Sequence, residues 1–178
     1  MQNETLRRLA GLLGVDGVAI YGARVRLRQD DLLVRSHASD ALTRAATLLR
    51  DLAARYHQER IPPSSREQPF PPQLALQTLR SIEQRQRAVQ EVELQLRSAP
   101  FPPEDAVWER LRSARLQLDL LLSLDIALIE RAQAVEALCA ALTPDAVEGP
   151  QSGQPIEEAL LALRTALHER TELLAPPH

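Results

Sequence analysis

The chain has 178 residues, with 21 basic and 24 acidic side chains, and every basic residue is arginine. Without lysine there can be no Schiff base to pyridoxal phosphate, no P-loop lysine and no kinase-type phosphate lysine, which removes whole classes of enzyme. The formal charge of −3 argues against strong nonspecific nucleic-acid binding, whose affinity comes mainly from neutralised phosphates, although the first 70 residues carry 11 arginines against 8 acids.

The hydrophobic fraction of 44% is dominated by Leu and Ala, while aromatics make up 3% and glycine occupies six positions, a composition that favours helix over sheet. This length points to one domain over 1–178. A single cysteine, Cys139, excludes an intramolecular disulfide and suggests a reducing, cytoplasmic setting. The N-terminus mixes Asn, Glu and Arg with its leucines, unlike a signal peptide, and no apolar run reaches the roughly 18 residues of a membrane span. No membrane partner is expected.

A short helix is predicted from Glu4 to Leu13, with Asn3 as N-cap and Gly14 as terminator. Gly17–Tyr21 and Val25–Arg28 then have β-type composition, and Gln29-Asp30-Asp31 reads as a turn before Leu32–Arg35, so a small β-hairpin element is expected over 14–36. On a strand, Arg24, Arg26 and Arg28 would share one face. That face is a solvated surface, a partner for the acidic half of another copy, or a nucleic-acid-contacting ribbon.

Ser39 and Asp40 open a second helix with the stripe Leu42, Ala45, Leu49, Leu52 and Tyr56, ended by Ile61-Pro62-Pro63. A proline-rich connector covers 61–72. Its last residues, Pro69-Phe70-Pro71-Pro72, recur as Pro100-Phe101-Pro102-Pro103, and both copies precede a helix that soon reaches Leu-Arg-Ser. The repeat reads as a helix-start device in which the phenylalanine staples onto the first turns, with polyproline docking to a partner as the alternative.

The third helix, Gln73 to Arg97, uses Leu79, Ile82, Val89, Val92 and Leu96, with Gln86 in its stripe. The fourth carries the strongest pattern in the chain, Val107, Leu111, Ala114, Leu118, Leu121, Leu128, Ala132, Val135, Cys139 and Leu142, interrupted only by Asp125. Such alternation of four and three keeps one seam facing a partner and predicts a long central helix from Glu104 to Leu142. A second connector, 143–155, leads to a fifth helix from Pro155 with the stripe Ile156, Leu160, Leu163, Leu167 and Leu174.

Asp125 and Asp119 interrupt the most apolar stretch, and a carboxylate buried there must be paired, hydrogen-bonded or protonated. Arg85, Arg87 or an arginine of a second subunit are the expected partners, in a structural or register-setting role. The four histidines have no metal-ligand spacing, so neither metal nor cofactor is expected, and no residue is assigned as catalytic.

Arg50 and His57 fall within the R-x4-6-H spacing and so resemble the motif of the HEPN family of helical ribonucleases. Leu13-Gly14-Val15-Asp16-Gly17-Val18-Ala19-Ile20, after a short helix, resembles the opening of a roadblock/LC7 dimerisation domain. That family continues with three further strands, which have no counterpart after His57, and this reading is not adopted.

The expectation is therefore a mostly all-α bundle of four to five helices around one long helix, with a small N-terminal hairpin. Its function is expected to be that of a non-enzymatic interaction, scaffold or regulatory protein, forming a homodimer or binding another protein through Leu118, Leu121, Asp125 and Leu128. The alternatives are a nucleic-acid-binding module using Arg24, Arg26 and Arg28, and a HEPN-like ribonuclease.

Overall fold

The computed structural model describes residues 2–15, 20–21, 27–63, 70–100, 114–149 and 152–175. Among these residues the protein is helical, without strands. The helices are α1 (Gln2–Leu13), α2 (Leu27–Arg60), α3 (Gln73–Ser98), α4 (Arg115–Ala140) and α5 (Gln154–Leu174), with one 3-10 turn at Ala146–Glu148.

Helix α1 ends as its sequence requires. Gly14 takes φ +64°, its N–H donates to the Gly11 carbonyl, and the Val15 N–H reaches back to Ala10, so the last carbonyls are satisfied in a left-handed terminating turn. The β-hairpin expected over 14–36 is not supported. Residues 27–36, including Arg28 and the whole of Leu32–Arg35, lie in α2, whereas residues 16–19 and 22–26, with Arg24 and Arg26, are outside the described residues. Helical spacing wins because Asp31, Val34 and Ala38 are all buried and lead without interruption into the Leu42 stripe, a continuity that two short strands could not provide. The acidic Asp30 also sits favourably in the first helical turn. At 34 residues α2 is the longest described helix.

Helix α3 spans 26 residues and starts after Pro72, whose carbonyl accepts the Leu76 N–H. Phe70 is 81% exposed, so it does not form the expected staple on the following turn. The predicted long fourth helix is shorter than expected. Ala114 has φ −97° and ψ 88°, which is not helical, so α4 begins at Arg115, and the expected start over Glu104–Ser113 lies outside the described residues.

What remains is 26 residues, about 39 Å at 1.5 Å per residue, with a broad buried face and one face exposed at Leu116, Leu120, Ser123, Ala134 and Ala137. Leu121, Leu122, Leu124, Ile126, Leu128, Ile129, Ala132, Val135 and Cys139 all face protein, a wide apolar face that packs on more than one neighbour.

Helix α4 packs on α2, α5 and α1, α3 packs chiefly on α2, and α3 touches α5. Ion pairs and hydrogen bonds set the directions. Ser39 pairs with Glu93 and Arg35 reaches Ala99, so α2 and α3 are antiparallel; Arg131 bonds Ala162 and Arg170 bonds Asp125, so α4 and α5 are antiparallel as well. The four long helices enclose one core, with α2 and α5 across the bundle from each other and α1 laid on the outside of α4.

Gly11 inside α1 and Gly14 just past its end should respond in opposite senses to alanine. A Cβ meets nothing within 4 Å at either Gly11 or Gly14, so only backbone preference operates. Gly14→Ala should cost on the order of 1 kcal/mol because its φ is left-handed, and Gly11→Ala should gain a similar amount inside the helix, displacing urea midpoints in opposite directions.

Candidate functional site

The one charged cluster buried among the described residues lies at the centre of the bundle. Arg170 of α5 donates from Nε to Asp125 Oδ1 at 2.7 Å and from Nη2 to Asp31 Oδ1 at 2.6 Å. The second oxygen of Asp125 accepts the Tyr21 hydroxyl at 2.7 Å, and the second oxygen of Asp31 accepts Arg35 Nε at 2.9 Å. Arg35 continues outward to the carbonyls of Arg97 and Ala99, where α3 ends. The chain Arg35, Asp31, Arg170, Asp125 and Tyr21 thus alternates in charge, sums to zero and joins α2, α3, α4, α5 and the segment before α2.

Each link follows from helical register. Asp125 interrupts the α4 seam, and Arg170 fills the step between Leu167 and Leu174 in the α5 stripe, where a leucine would otherwise stand. Asp31 occupies the matching inward position on α2, one turn before Arg35, which makes their pair an i, i+4 contact. Tyr21 is fully buried at φ +55°, an uncommon conformation for a bulky residue, and its own N–H donates to Asp30 at 2.7 Å.

The arginines expected to pair with Asp125 do not. Arg87 is exposed, and Arg85 lays its guanidinium against Gly153 so closely that any Cβ there would overlap it. The Nε and Nη1 of Arg85 are buried without a hydrogen-bond partner.

Burial raises the Tyr21 phenol well above its ordinary pKa, and the neighbouring Asp125 carboxylate pushes it further the same way. Burial likewise raises the Asp125 carboxyl, while Arg170 pulls it part of the way back. For Arg170 burial opposes the charge, but Asp125, Tyr21 and Asp31 together outweigh it and hold the guanidinium protonated. Every oxygen of the two carboxylates has a donor, and the Arg170, Asp31 and Asp125 side chains are 4% exposed or less. A general acid or base needs reach to a substrate, and this cluster has none.

Of the residues expected at an interface, Leu121, Asp125 and Leu128 are wholly buried inside the chain and Leu118 is partly buried against the core. The large apolar side chains at the surface lie elsewhere. They include Leu74 and Leu94 on α3, Leu116 and Leu120 on α4, and Leu161 on α5.

Arg28 is exposed at the start of α2, so the expected strand face of three arginines is not formed at that residue. Arg50 and His57 both lie on exposed α2 surface. Arg50 is paired with its neighbour Asp51, and the 300 Å³ groove it borders between α2 and α3 is not lined by His57. The structure therefore does not bring that pair to a common cleft. Among the described residues no group of three or more His, Cys, Asp or Glu could hold a metal ion, and no helix is long and apolar enough to cross a membrane.

Cys139 is buried on the α4 seam, where desolvation pushes its thiol up to about 11, with Glu136 adding to the effect. It is a packing residue rather than a nucleophile. Comparison with models of known families, with curated proteins and with solved structures finds no match.

Two expectations follow. Arg170→Met should cost about 3–5 kcal/mol in chemical denaturation, because Asp125 is left buried without a cation and Asp31 keeps only Arg35, and adding Asp125→Leu should recover part of that loss rather than increase it. The thiol and phenol, whose ordinary values are near 9 and 10, are both raised in the fold. The stability they contribute is complete below those values and is lost as the pH climbs through the folded ones, so urea midpoints should fall progressively above about pH 9. The double variant Tyr21→Phe/Cys139→Ala should flatten that decline.

Proposed function

We propose that this protein is a non-enzymatic helical interaction module, a scaffold or regulator that works by self-association and partner binding through helix faces. Its charged core supports that reading, since the buried carboxylates of Asp31 and Asp125 and the Arg170 guanidinium neutralise one another out of reach of any substrate. The observation that carries it is on α4. Leu116 is 85% exposed and Leu120 50% exposed, although they belong to the helix whose remaining turns are the most deeply covered in the bundle. Both project along the same helical stripe as Ser123 and Ala127. Two neighbouring leucines left in water, on a face of α4 whose other exposed residues are Ser123 and alanines, favour a surface that is covered by protein.

A symmetric homodimer is the preferred form, because one self-complementary patch is the commonest route to closed assembly. The test is solution mass over a range of concentrations, by sedimentation or light scattering. The wild-type chain should approach twice its 19.8 kDa mass as concentration rises, and Leu116→Glu/Leu120→Glu should remain monomeric with unchanged helical circular dichroism. A wild-type chain that stays monomeric throughout would overturn self-association.

A further inference from the structure

We draw no further inference here: the strongest candidate, the open groove between α1 and α4 bordered by Thr5, Arg8, Ser123, Ala127 and Glu130, shares its α4 stripe with the exposed Leu120 and Leu116 of the self-association reading above, and nothing in the structure shows what covers it.

Discussion

Arg170 enters the interior with its charge retained, and everything around it is arranged to make that tolerable. Removing a guanidinium from water costs several kcal/mol even after relaxation, so the bundle must supply carboxylates in good geometry on two different helices at once. Only one register does so. Sliding α5 along α4 by a single turn would separate Arg170 from Asp125 and leave two buried charges uncompensated, while the leucine stripes themselves would tolerate the slip with modest loss. The apolar residues provide the drive to pack, and the alternating chain from Arg35 to Asp125 decides which packing is allowed.

The same chain divides the molecule into parts of unequal security. Helices α2, α4 and α5 are joined through buried ionic contacts, Arg35 extends the chain to backbone carbonyls at the end of α3, and α2 and α5 meet across the core through Arg170 and Asp31. Helix α1 lies outside that chain and is held by contacts that include buried apolar side chains and the solvent-exposed Arg8–Glu130 pair. In a bundle whose reactive groups are occupied with one another, functional change is therefore expected at the periphery, where covering a helix face and uncovering it differ by little free energy.

Much of the helical skeleton could be read from spacing alone. Helix α3 was expected over Gln73 to Arg97 and spans Gln73–Ser98, and the α2 and α5 stripes are buried. These elements are legible because one face of each carries a local period of 3.6 over many turns. The hairpin failed for the complementary reason. Over the five residues Arg24 to Arg28 the alternation of Arg with Val and Leu fits a strand as well as a helix, and only the longer run from Asp31 through Val34 and Ala38 to Leu42 favours helix. The break at Ala114 had no marker, since neither proline nor glycine lies beside it.

Asp125 was conspicuous in the sequence, but its partners were not, because they lie 45 and 104 residues away and leave no local signature. A signal nevertheless existed. The α5 stripe has one vacant step, filled by Arg170, just as the α4 seam has one, filled by Asp125. Two gaps of opposite charge in two otherwise leucine-rich stripes point to each other. Asp31 was hidden by its assignment to a turn, which removed it from the list of inward positions.

The account depends on a protonated arginine held out of water between two carboxylates. The most direct measurement is the exchange rate of the Arg170 Nε proton with solvent, followed by nitrogen-15 NMR in the folded protein. The account predicts a resolved resonance that exchanges as slowly as the core amides of α4. An Arg170 proton exchanging at the rate of a free arginine side chain would contradict it.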